Sequence, residues 1–122
     1  MPSKDQLFGR ESESTAVIHL KKHGYKIIEQ NYRTLLGEID IIAKEKNTIV
    51  FVEVKARKSA RYGNPKCSIT QKKKRKISMV ALYFLKVTNQ SGKKARFDVV
   101  SISSGGTNPE IEIIKNAFDL AY

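Results

Sequence analysis

Two short stretches, Glu38-Ile39-Asp40-Ile41-Ile42-Ala43 and Thr48-Ile49-Val50-Phe51-Val52-Glu53-Val54-Lys55, decide how this chain is read. Both are rich in β-branched residues and too short for typical helices, and the polar turn Lys44-Glu45-Lys46-Asn47 separates them. They are expected to pair as an antiparallel hairpin. With the turn centred between Lys46 and Asn47, facing residues sum to 93. Asp40 then lies opposite Glu53, with Cβ atoms ~5 Å apart. Side chains alternate along a strand, so Glu38 and Lys55 share that face, and Ile39, Ile41, Val50, Val52 and Val54 are expected on the other.

Such a face is costly. Opposed carboxylates repel, and one takes up a proton unless a cation sits between them. A hard divalent cation such as Mg2+ or Mn2+ removes the conflict, because it accepts a few carboxylates and fills its remaining positions with water and phosphate oxygens. Asp40 and Glu53 are the candidate ligands, with Glu38 as a further one. Lys55 beside them could orient an attacking water or stabilise charge building on phosphorus. The plainer alternative is a solvated charged face with Lys55 as a salt-bridge partner. The aliphatic neighbours argue instead for a half-buried site.

Outward from the hairpin, residues Leu7 to His23 read as a helix with an apolar stripe at Ala16, Val17 and Leu20, stopped by Gly24. Tyr25 to Arg33 reads as extended. Ala56 to Ser68 reads as a loop, and Ile69 to Val87 as a second helix with Ile77, Val80, Ala81, Phe84 and Leu85 at helical spacing. Ala95 to Ser103 and Glu110 to Ile114 are the last expected strands. The order α-β-β-β-α-β-β implies a mixed sheet with helices packed against it. Glu13 continues the first helix's apolar stripe and Lys73 lies in the second's, so both are expected near the hairpin's charged face.

Charge narrows the partner. The net charge is +11, and from Lys55 to Arg96 the chain carries 14 basic residues and no acidic one. The rest of the chain has 9 basic and 12 acidic residues. A field concentrated this way is the footprint of a polyanion partner. Phosphate contacts are expected from Arg33, Arg57, Lys58, Arg61, Lys72, Lys73, Lys74, Arg75 and Lys76, with Tyr62 placed to touch a base or sugar. The 122 residues are expected to form one domain. No apolar run approaches the ~20 residues that span a bilayer, and no signal peptide is visible, so a cytoplasmic location without membrane contact is expected. Cys67 excludes an internal disulfide. His19 and His23 lack a third metal ligand and are expected at the surface, while Tyr25, Tyr32, Tyr83, Phe84 and Phe97 are expected in the core.

The motifs Asn31-Tyr32-Arg33, Gly37-Glu38-Ile39-Asp40, Val50-Phe51-Val52-Glu53-Val54-Lys55-Ala56-Arg57, Tyr62-Gly63-Asn64-Pro65 and Arg96-Phe97-Asp98-Val99-Val100 resemble the YraN-type family of small bacterial proteins. The likeness runs from about Phe8 to Val100. Two departures are Ser12, where the family usually has glycine, and the turn Lys46-Asn47, where an Asp-Gly type is commoner. That family is similar to restriction-endonuclease-like nucleases and archaeal Holliday-junction resolvases. The resemblance implies a restriction-endonuclease-like mixed central sheet flanked by helices. It also implies Asp40 and Glu53 as metal ligands, Lys55 as catalytic lysine, and supporting roles for Glu13 and Lys73.

The expectation is therefore a Mg2+- or Mn2+-dependent endonuclease acting on DNA. Backbone contacts favour selection of double-stranded or branched structure over sequence. Cutting a junction needs two sites, hence a homodimer, although no clear dimer stripe is visible. The alternatives are a non-catalytic nucleic-acid-binding module and an RNA-processing nuclease.

Overall fold

The structure, a computed structural model, describes residues 4–57, 69–103 and 110–120, with side chains from residue 9 onward. Lys58, Arg61, Tyr62 and Cys67 lie outside the described residues. The elements are α1 (Lys4–Lys22), β1 (Lys26–Thr34), β2 (Gly37–Glu45), β3 (Thr48–Arg57), α2 (Gln71–Val87), β4 (Ala95–Ser103) and β5 (Glu110–Phe118). They form a mixed α/β fold in the expected order. The five strands make one sheet in the order β1-β2-β3-β4-β5. Only the β3–β4 pair is parallel, and α2 lies in the crossover joining them, the connection such a pair requires.

The two helices cover opposite faces of the sheet. Ala16, Val17 and Leu20 of α1 are buried with Ile41, Ala43, Val50, Val52, Val100 and Ile102. On the other face Ile77, Val80, Ala81, Phe84 and Leu85 of α2 are buried with Ile42, Phe51, Phe97 and Val99. Each fully buried aliphatic or aromatic side chain contributes roughly 1.5–3 kcal/mol, so this sandwich is the main source of stability. Among the described residues, no helix is long and apolar enough to cross a membrane.

The helix ends follow from local chemistry. Gly24 takes a φ of 88° while its N–H donates to the Lys21 carbonyl and the Tyr25 N–H donates to that of Leu20. This pairing closes α1 and suits a residue without Cβ. Thr70 caps α2, its Oγ1 accepting the Lys73 N–H at 3.1 Å.

The hairpin register is the expected one, from Glu45↔Thr48 to Ile41↔Val52. Tyr83 departs from its expected core position: it is 44% exposed and lines a depression with Tyr32 and the β1–β2 turn. Strand β5 extends four residues beyond the expected end. Its pairing with β4 shifts register between Phe97 and Val99, and Asn116 adopts a left-handed φ of 51°. The polar Lys115-Asn116 pair thus marks a bulge rather than the end of the strand.

Candidate active site

The β2–β3 ladder ends at Ile41↔Val52, yet both strands continue. Strand β2 stays paired with β1 down to Gly37, and β3 stays paired with β4 up to Arg57. The two central strands therefore fork, each held by its outer neighbour. Asp40 stands at the crotch, where its Oδ2 accepts the Val54 N–H at 2.9 Å. The alternation of β2 breaks there. Ile39 joins the α2-side cluster instead of sharing the face of Ile41, because no ladder ties it to β3 beyond the fork.

Glu53 follows Val52 on β3 and is buried beneath α2. Its Oε1 lies 2.9 Å from the Lys73 Nζ. The Lys73 ammonium feels burial, which lowers its pKa, but the Glu53 hydrogen bond and the nearby carboxylates outweigh this and raise it. Asp40 has no such ion pair among the described residues. Burial, then the Glu53 charge, push its pKa up to about 7, against the opposing pull of the Val54 amide and Lys73. The neutral acid is thus accessible at ordinary pH, as expected for crowded carboxylates short of positive charge.

Glu13 reaches the fork from α1. Its pKa is raised by burial and then by Asp40, with a hydrogen bond from Asn31 pulling the other way. Glu38 is exposed and paired with Arg33, Nε to Oε2 at 3.0 Å, so its charge reaches Asp40 while its carboxylate is otherwise engaged. Lys55 is half-buried on β3, beside Ser101 of β4, and has no ion-pair partner among the described residues. Among the described residues no three His, Cys, Asp or Glu groups converge on one metal position. Two carboxylates with water and phosphate oxygens are a donor set Mg2+ accepts, and they gain most from a divalent charge. The residues present fit such an ion.

Two depressions adjoin the fork. Gly37, Glu38, Thr70, Lys72, Lys73 and Lys76 contribute to a groove of about 430 Å³ on the α2 side. Arg10, Glu13, Asn31 and Arg33 border another of about 270 Å³. The lysines of α2 thus divide. Lys74 turns away, with its Nζ 5.7 Å from the Phe118 ring centroid. Arg75 is exposed, and Arg57 is half-buried near the end of the forked β3.

Two features escape the sequence reading. Asn31 supports Glu13, and its signal was a polar residue with tolerance for a left-handed backbone, here φ 52°. The second is a polar network between distant strands. Asp98, fully buried, accepts from Tyr25 Oη at 2.8 Å, Arg96 Nε at 2.9 Å and the Asn116 N–H at 3.0 Å. Arg96 also donates to Glu45 at 2.6 Å, and Lys115 pairs with Glu45 at 2.9 Å. Burial and the Asp98 contact hold the Tyr25 phenol in its neutral form, and the hydrogen bond to Asp98 leads in keeping Arg96 charged. His23 Nδ1 donates to the His19 carbonyl at 2.8 Å, so that ring nitrogen is committed to the backbone.

A family model described as "Uncharacterised protein family UPF0102" matches residues 12–102, which contain the whole fork. The chain belongs to the UPF0102 family. A UPF0102 protein of Desulfosudis oleivorans is 53% identical over 119 residues, covering 98% of this chain and 95% of that one. One from Geobacter metallireducens is 49% identical over the full length of both chains. One from Persephonella marina is 48% identical over 93% of this chain and 95% of its own. The matched UPF0102 segment opens at Ser12, which is buried and immediately precedes Glu13.

Proposed function

We propose that this UPF0102 protein is a metal-dependent endonuclease with a restriction-endonuclease-like fold, hydrolysing phosphodiester bonds of branched or otherwise structured DNA. The observation that supports it most is the strand fork itself. Two crowded carboxylates, Asp40 and Glu53, stand there with a lysine two residues beyond the second, and a lysine-lined groove runs alongside.

Asp40 and Glu53 would hold one Mg2+ or Mn2+, leaving positions for water and a phosphate oxygen. The ion, when bound, polarises the scissile phosphate and lowers the pKa of the attacking water. Glu13, steadied by Asn31 and near enough to Asp40 to feel its charge, would support the ion or its water shell. Glu38 can serve as a further ligand by giving up Arg33. Lys55, without a carboxylate partner among the described residues, orients the water or meets charge as it develops on phosphorus. Lys72 and Lys76 contact backbone phosphates, joined by Arg33, Arg57, Arg75 and the basic residues Lys58 and Arg61. Cutting both strands of a junction takes two such sites and hence a homodimer.

Incubation of purified protein with Mn2+ and labelled linear, flapped, four-way DNA and RNA substrates tests the reading. Metal-dependent cutting of DNA that disappears in Asp40→Asn is expected. Binding without cutting on every substrate would identify a binding module, and cutting of RNA alone would move the chemistry to RNA processing.

A further inference from the structure

We propose that Lys73 is a built-in counter-ion for Glu53, which a divalent cation displaces into the phosphate-binding groove, coupling metal binding to nucleic-acid binding. This rests on reading Asp40 and Glu53 as metal ligands.

The ion pair joins unequal partners. The Glu53 side chain is 6% exposed, whereas that of Lys73 is 47% exposed. A carboxylate so deeply placed needs a compensating charge, since a lone buried ion costs several kcal/mol. Lys73 supplies it from a backbone pinned in the first turn of α2 by the Thr70 cap. Its long side chain is free to pivot about that anchor. One end of its reach is Glu53, and the other is the groove it lines with Lys72 and Lys76.

A dication shared by Asp40 and Glu53 makes the ammonium redundant, then repels it. Released, Lys73 becomes a third positive charge in the groove and is offset by a phosphate. Metal thus raises affinity for the polyanion, and by linkage the polyanion raises affinity for metal by the same factor. Lys55 cannot play this part, because it holds no carboxylate among the described residues.

Electron paramagnetic resonance of free Mn2+ measures affinity in the wild type, Lys73→Met, Lys76→Met and Asp40→Asn, without nucleic acid. Lys73→Met should bind Mn2+ at least roughly fivefold tighter than wild type, the lower end of ordinary coupling between sites. Lys76→Met removes the same charge from the same groove but no contact with Glu53, and should stay within about twofold of wild type. If Lys73→Met and wild type bind alike while Asp40→Asn abolishes binding, the counter-ion proposal is overturned and the metal site stands. If no variant shows binding that depends on Asp40, the metal site fails and the proposal with it.

A second measurement needs no stable variant. The Lys73 ammonium, held on a buried carboxylate, should give a 15N-detected resonance in metal-free wild type that disappears as Mg2+ saturates the site. Persistence of that resonance at saturation would overturn displacement.

Discussion

Asp40 is the residue on which the proposed chemistry turns, and its protonation gives a direct handle. Its pKa of about 7 in the fold stands above an ordinary value of 3.8. The folded state therefore keeps a proton that the unfolded chain releases. Stability linked to this group is complete below about pH 4 and declines as pH rises toward 7. Asp40→Asn removes that decline while keeping an oxygen for the Val54 N–H. Urea denaturation at pH 4.5 and pH 8 should show the wild type losing roughly 1–3 kcal/mol relative to the variant. Equal pH dependence would mean that Asp40 titrates normally. A metal held by Asp40 would also have to expel this proton, so Mn2+ affinity should fall about fivefold from pH 7 to pH 6, as measured by titration at the two values.

At the scale of elements, the proposal gives helix α2 two functions on one surface. Lys72 and Lys76 face the groove, while Lys74 lies over Phe118. Each phosphate contact contributes about 0.9 to the salt slope of binding. The double replacement of Lys72 and Lys76 by alanine should flatten that slope by roughly 2, and Lys74→Ala should leave it unchanged. Fluorescence anisotropy across a salt series reads both. The network around Asp98 is an independent stabilising device. Asp98→Ala takes the acceptor from the Tyr25 hydroxyl and the Asn116 amide and leaves Arg96 with Glu45 as its remaining carboxylate, and should cost ~3–5 kcal/mol in urea denaturation. The hairpin register was legible because the hydrophobic runs flanking Lys46-Asn47 share one centre. The fork was not: a strand pattern carries no mark of where two neighbours part, and Ile39 alone therefore faces the unexpected side. Lys73 could be placed inward by helical period, but its partner Glu53, twenty residues away on another element, could not be read from spacing. The Asp98 network joins residues from Tyr25 to Asn116, and its only sequence trace is an acid set within a buried strand.

For the whole molecule, the sheet's parallel pair explains why the site lies where it does. The β3–β4 pairing runs on to Arg57↔Ser103, and α2 returns along the sheet so that its first turn meets Glu53. Strand β2, laddered with β1 but no longer with β3 beyond Ile41 among the described residues, diverges there and presents Asp40 between the two helices. Glu13 of α1 and Lys73 of α2 approach from opposite faces and add one charge of each sign. The basic stretch from Lys55 to Arg96 then begins at the fork itself and includes the lysines of the groove. In the proposed function catalysis and binding are thus adjacent but separable, and Lys55→Ala measures the separation most directly. With Mn2+ and a four-way DNA junction, the variant should lose cleavage while its junction affinity stays within about twofold of wild type, since one of many charges is removed. Cleavage that survives in Lys55→Ala, or affinity that collapses without any wild-type cutting, would contradict a catalytic fork.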